Sequence, residues 1–290
     1  MTLSRLIRPL IIAFLILMSG LGACATGNFT GWSVPERTLT EQTALLREHV
    51  EIRLPEAASG PVPAAILLHG CGGLRDVQED YASALLTAGY GVVLVDSNSA
   101  RGIGRFGAMT QVCSAQRLWG QERAADIPAA IAIASESPGI DADRLALIGW
   151  SHGGWTVLEA LDFADEDRTS PALSPQPSTP LPGIRTAIAI YPYCGFPVRA
   201  DGRGFASDIP LHALLGGRDV VAPARDCERL FARAAEAGRP VNHELWSGVT
   251  HAFDEPNGPP DPRMEYDADA AQRARASIIS WLDEAFADQG

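Results

Sequence analysis

The sequence has no apolar run of the ~20 residues that a membrane-spanning helix needs; its N-terminal run, Leu10 to Met18, stops well short. Basic charge is scarce. Lys and Arg total 23 against 35 Asp and Glu, a formal net charge of -12, which argues against a protein that grips phosphate backbones. No segment recurs at the ~20–50-residue period of a solenoid or propeller. There is no phosphate-cradling G-x-x-x-x-G-K-[ST] and no metal pattern with ligand spacing. A literal G-x-G-x-x-G, Gly102 to Gly107, lacks the context of a dinucleotide fingerprint: Asp96 to Ala100 separate it from the preceding strand and no helix opens within it. It reads as a loop walling a substrate pocket. What is present is 290 residues, 46% hydrophobic and 20% charged, with 28 Gly and 21 Pro, enough for a full core in one large domain or two small ones.

The first segment reads as an address. Arg5 and Arg8 precede the apolar run, and Ser19, Gly20, Leu21, Gly22, Ala23 and Cys24 follow it, the order of a secretory signal peptide. Leu21-Gly22-Ala23-Cys24 resembles the lipobox of bacterial lipoproteins, in which the cysteine is lipidated and becomes the mature N-terminus. The alternative is ordinary cleavage after Ala25. Ala25 is not acidic, which in a Gram-negative source favours the outer membrane. The expected organisation is a signal peptide over 1–23, a polar tether over 24–45 and one domain over 46–290. The chain is expected in the bacterial envelope as an anchored lipoprotein, or else soluble in the periplasm or outside. Export leaves Cys71, Cys113, Cys194 and Cys227, an even number, which in an oxidising compartment implies disulfides with three possible pairings.

Along the domain, strands alternate with helices. Glu48–Leu54 alternates like an edge strand. Ala64–Leu68, Gly91–Val95, Arg144–Ile148, Arg185–Ile190, Leu211–Leu215 and Val241–Leu245 are short apolar strands. Helical spacing covers Gln78–Ala88, Glu122–Ser135 (with Pro128 as a kink), Gly153–Leu161, Arg225–Ala237 and Ala268–Ala287. This is an α/β pattern: a mostly parallel sheet with helices on both faces. Such sheets carry their sites at the carboxyl ends of the strands.

One of those ends reads Gly149-Trp150-Ser151-His152-Gly153, a G-x-S-x-G nucleophile elbow with a helix behind it. A serine hydroxyl needs a base, and the base needs a group to orient it. Asp219 and His251 follow Ser151 in that order, each after a strand, and Ser, acid, His is the order of α/β-hydrolases. An oxyanion hole needs two backbone amides. His152, next to the nucleophile, is one. Cys71, in the loop His69-Gly70-Cys71-Gly72-Gly73, is the other. His69 is expected to hold that loop.

These segments, with Val95-Asp96-Ser97, Arg101-Gly102, Leu214 to Asp219 and His251-Ala252-Phe253-Asp254, resemble the dienelactone hydrolase family of α/β-hydrolases from about Ile66 to Asp254. The resemblance implies an α/β-hydrolase fold, with Ser151, Asp219 and His251 as nucleophile, acid and base. The enzyme that names the family uses a cysteine nucleophile; the serine here favours ordinary ester hydrolysis. In the implied fold Cys71 and Cys113 leave neighbouring strands, as do Cys194 and Cys227, so those two pairings are expected. The stretch from Asp162 to Gly183 is too short for a large cap. His69, Gly70, Trp150, Phe106 and Tyr193 are candidate pocket residues. No cofactor, metal or nucleic acid is expected; the partner is a small ester, the membrane is met only through the anchor, and oligomeric state is not legible. Three readings follow: a serine carboxylesterase, an acyltransferase or peptidase on the same residues, or a non-catalytic envelope binding lipoprotein.

Overall fold

The computed structural model describes residues 34–164, 170–200, 205, 207–258 and 261–287. The expected signal peptide, the lipobox and Cys24 lie outside them. Seven strands form one sheet in the order β1-β3-β2-β4-β5-β6-β7: β1 Val50–Arg53, β2 Val62–Leu68, β3 Gly91–Val95, β4 Ile140–Trp150, β5 Ile184–Ile190, β6 Leu211–Gly216 and β7 Val241–Trp246. Only the edge strand β1 runs antiparallel, against β3. The other pairings are parallel. The principal helices are α1 Leu39–Leu46, α2 Asp76–Thr87, α3 Gly120–Arg123, α4 Asp126–Ser135, α5 His152–Asp162, α6 Ala224–Glu236 and α7 Ala268–Phe286. Among the described residues no helix is long and apolar enough to cross a membrane.

The apolar runs become buried strands because successive side chains face opposite layers. Ile66, Leu68, Val93, Leu145 and Leu147 pack with α4, α5 and α6 on one face. Leu67, Leu94, Ala146, Ile148 and Ile190 pack with α2 and α7 on the other. The chain winds from β2 outward to β3 and then returns past β2 to β4. The loops after β2 and β4 therefore lead to helices on opposite faces, and a crevice opens between them at the carboxyl edge.

Two expectations change here. The tether was expected to run to residue 45, but Leu39–Leu46 is helical and docked: Leu46 is fully buried and Gln42 donates to the buried Asp126 on α4. Thr38 and Glu41 form a capping box at its start, a Thr-x-x-Glu signal visible in the sequence. The helix expected over Glu122–Ser135 is interrupted at Ala124–Ala125, not kinked at Pro128. Pro128 falls in the first turn of α4, where its missing amide has no intrahelical acceptor to lose.

α5 also buries a carboxyl. Glu159 accepts from Trp155 Nε1 (2.7 Å) and from the Arg199 amide (3.0 Å), yet burial pushes its pKa up to about 7. An acid whose folded pKa is raised contributes stability that is complete below its unfolded pKa, ~4.3, and is lost as pH rises through the folded value. The loss across that window is on the order of 3 kcal/mol. Glu159→Gln, which mimics the protonated form, is expected to flatten the fall in melting temperature between about pH 5 and 7. An unchanged slope by calorimetry contradicts this.

Candidate active site

β4 ends at Trp150 and α5 begins at His152. Ser151 between them takes φ 51°, ψ -110°, a strained conformation for a side-chain-bearing residue. The sharp turn brings backbones together. A Cβ on Gly149 would lie 2.3 Å from the Gly153 carbonyl oxygen, and one on Gly153 would lie 2.0 Å from that of Leu68. Only glycine fits either place. The turn lifts Ser151 clear of the sheet and aims the positive end of α5 at it.

Three side chains from separate loops meet at this turn. Ser151 Oγ is 2.9 Å from His251 Nε2, and His251 Nδ1 is 2.6 Å from Asp219 Oδ2. Asp219 Oδ1 accepts the amides of Val221 (2.8 Å) and Ala222 (2.7 Å). Asp219 and His251 are buried, at 7% and 4% exposure, so the ring is held by protein and not by water.

The loop after β2 lies beside Ser151. Gly73 N donates to Gly70 O (3.3 Å) and closes a turn. Asn98 Nδ2 donates to the Cys71 carbonyl (3.0 Å), and Cys71 is bonded to Cys113. His152 is the first residue of α5, where an amide has no acceptor inside the helix. Cys194 and Cys227 form the second disulfide. The first joins the loops that leave β2 and β3, the second joins the loop after β5 to the first turn of α6, and together they point to an oxidising environment.

The model of the dienelactone hydrolase family matches residues 50–286, the whole sheet and the helices from α2 onward. The chain belongs to that family. Dienelactone hydrolases act on ester bonds, and so does this member. A Klebsiella pneumoniae subsp. pneumoniae protein provisionally described as a dienelactone hydrolase superposes with a TM-score of 0.62 at 18% identity, covering 81% of this chain and 92% of that one. Thermogutta terrifontis esterase 2, phosphoramylated by tabun, superposes with 0.59 at 13% identity, over 82% and 89%. These identities speak to the fold alone. In sequence, 94 residues are 42% identical to the "Probable dipeptidyl-aminopeptidase B" of Fusarium vanettenii, which is 32% of this chain but 9% of that protein.

In this dienelactone hydrolase-family chain the crevice holds a cavity of about 260 Å3, with Ser151, His251, Gly70, Cys71 and Trp150 in its wall. A larger concavity of about 530 Å3 lies around Arg144, Arg185, His212 and Trp281, at the starting ends of the strands and remote from Ser151. Three expected pocket residues are elsewhere. Phe106 is 82% exposed, because the Gly102–Gly107 segment folds into a helical turn at Arg105–Gly107 that points it outward; Met109 and Cys113, further along, reach the cavity instead. Tyr193 lies toward α5, its ring on Trp155 and its hydroxyl donating to the Phe196 carbonyl (2.8 Å). His69 is fully buried beneath the loop, Nδ1 2.6 Å from the Gly70 carbonyl, and burial together with the nearby Arg123 charge holds it well below its ordinary pKa.

Two further residues brace the site, and neither was assigned a role from the sequence. Arg123, fully buried on α3, donates from Nη1 to the His69 carbonyl (2.7 Å) and to His152 Nδ1 (3.1 Å), and from Nε to Ser97 Oγ (2.8 Å). Burial pulls Arg123 down to about 10, and burial with the Arg123 charge pulls His152 down to about 3; at neutral pH the first is a cation and the second a neutral acceptor. Asp254, also fully buried, accepts from Tyr81 (2.8 Å), Tyr191 (2.6 Å) and Trp150 Nε1 (3.2 Å). Tyr191 in turn sets its ring edge-on to His251, 4.8 Å away. Asp254 thus fastens the His251 loop to the ends of β4 and β5. It stands in the His-Ala-Phe-Asp segment, whose spacing from His251 was visible, but the Tyr and Trp donors are far away in sequence.

Proposed function

We propose that the chain hydrolyses carboxylic esters through an acyl-enzyme on Ser151. The observation that carries this reading is the continuous hydrogen-bonded chain Ser151–His251–Asp219 at the wall of a cavity. His251 Nε2 takes the Ser151 proton as Oγ attacks the ester carbonyl, and Asp219 holds the imidazolium that results. The tetrahedral oxyanion is met by the amides of Cys71 and His152. As it collapses, His251 returns the proton to the leaving alcohol. Water then attacks the acyl group, giving its proton to His251, and the acid is released as Ser151 recovers its own.

A fluorophosphonate tests this, since an activated serine attacks phosphorus as it attacks carbon. Wild type is expected to gain one adduct by intact mass and Ser151→Ala none, with both chains folded. No adduct on folded wild type overturns the reading and leaves a binding protein in its place. The segment shared with a dipeptidyl-aminopeptidase supports testing peptide substrates beside esters; cleavage of peptides without cleavage of esters moves the assignment to that chemistry. Competing alcohols in the ester assay separate hydrolysis from acyl transfer by the products formed.

The two disulfides and the Leu21-Gly22-Ala23-Cys24 segment support export and anchoring through a lipid on Cys24. The full-length chain expressed in a Gram-negative host is expected in the membrane fraction, and Cys24→Ser is expected to abolish its labelling by a fatty-acid tracer. Equal labelling of the two chains rules the anchor out.

A further inference from the structure

The cavity and its surroundings together restrict the substrate, given the Ser151 reading above. At about 260 Å3 the cavity falls just below the ~300–1,000 Å3 of typical small-molecule sites, so it accommodates the reacting ester and little more. The remainder of any larger substrate lies on the rim. That rim is apolar. Leu74 follows β2, Phe106 and Met109 follow β3, Phe196 follows β5, and Val220 and Val221 follow β6, all at the carboxyl edge and all exposed, Phe106 by 82%, Phe196 by 73% and Val220 by 66%. The other large exposed apolar side chains among the described residues are only Leu54, Leu245 and Tyr266. Single exposed apolar residues need no explanation, whereas a concentration around one site does. Met109 and Val221 belong both to the cavity wall and to the exposed rim, so the two surfaces are continuous.

The charged groups in the cavity point the same way. Arg75 and Arg263 both line it, and a pair of arginines would suit an anionic substrate if they were free. Arg75 is paired with Glu255, itself in the cavity wall, and donates to the Asn257 carbonyl (3.1 Å). Arg263 is held by both oxygens of Asp261 (2.6–3.1 Å). Each guanidinium already faces a carboxylate that offsets its charge, so the pair offers an anionic substrate little net attraction.

We propose that this site takes neutral esters whose apolar portion outgrows the cavity and lies along the Phe106–Phe196 rim, and that it disfavours esters carrying a second, ionised carboxyl. The test is a set of kcat/KM values on monomeric substrates, with 4-nitrophenyl esters from acetate to octanoate lengthening the acyl side and n-alkyl acetates lengthening the alcohol side. In at least one series kcat/KM is expected to rise tenfold or more. In Phe106→Ser/Phe196→Ser the ratio of the longest to the shortest member of that series is expected to fall about tenfold, with fluorophosphonate labelling retained as the sign of an intact site. The 4-nitrophenyl hemiester of succinate is expected to react at least tenfold more slowly than the pentanoate. Flat profiles in both series, an unchanged ratio in the double variant, or a preference for the hemiester overturns the inference while leaving the serine mechanism standing. Failure to turn over any ester, with no fluorophosphonate adduct, overturns both.

Discussion

Asp219→Asn is expected to lower kcat by about four orders of magnitude without unfolding the protein. The reason lies in which oxygen does what. Oδ1 of Asp219 faces two donors, the amides of Val221 and Ala222, so in the asparagine variant the carbonyl oxygen must take that place. The amide nitrogen is then forced toward His251 Nδ1, where Oδ2 now stands at 2.6 Å. A donor there makes Nδ1 an acceptor and moves the ring proton to Nε2. Nε2 faces Ser151 Oγ and can no longer take its proton. The turn contacts survive, so the melting temperature should change little. Steady-state turnover of 4-nitrophenyl acetate with a parallel thermal melt checks the two halves together. More than a tenth of wild-type kcat in the variant contradicts the assignment of Asp219.

Arg123→Met is expected to lower kcat about a hundredfold to a thousandfold, with KM little changed, although Arg123 touches neither Ser151 nor His251. Its guanidinium joins the His69 carbonyl, at the root of the loop that presents the Cys71 amide, to the His152 ring, beside the other proposed oxyanion amide. Methionine fills much of the same space but donates nothing. Losing one well-placed oxyanion donor costs about a hundredfold to a thousandfold in rate, and an ångström of misplacement is enough to lose it. The substitution also leaves the His69 carbonyl, Ser97 hydroxyl and His152 Nδ1 short of a donor. At about 1–3 kcal/mol for each unsatisfied buried group, a clear drop in melting temperature should accompany it. A purely structural role predicts that drop with kcat of the folded fraction intact. Arg123→Lys separates the cases further: it keeps the charge but cannot reach three acceptors with a planar fork, and should recover only part of the rate.

The elements that were legible in the sequence are those whose signal is local. Ala64–Leu68 and Gly91–Val95 are buried on both faces and read as unbroken apolar runs. The polar first half of β4, Ile140 to Arg144, gave no such signal, and the strand begins there because it pairs with Val62 of β2. The Ser151 turn was legible because its two close backbone approaches demand glycines, and the demand leaves a pattern. Asp219 and His251 were legible from their order after strands. Arg123 left no trace: an arginine in a Gln-Glu-Arg stretch looks like a solvated helix face, and its burial follows only from how α3 lies under the β2 loop. Phe106 and Tyr193 misled for the converse reason. An aromatic residue near a predicted site carries no mark of the direction in which it points.

The Asp254 cluster has a consequence for how the molecule comes to be folded. Its bond to Tyr81 closes a span of 173 residues, and the bond between Ser151 and His251 closes one of 100. Contacts this distant along the chain stabilise only after the entropy of closing such loops has been overcome, and topologies rich in them form slowly. The helices and the β2–β3 unit can form from nearby residues, but the placement of His251 waits for β7 and everything before it. The meeting of Ser151 with His251 therefore requires closures that span much of the chain, whereas the β2–β3 pairing needs only near neighbours.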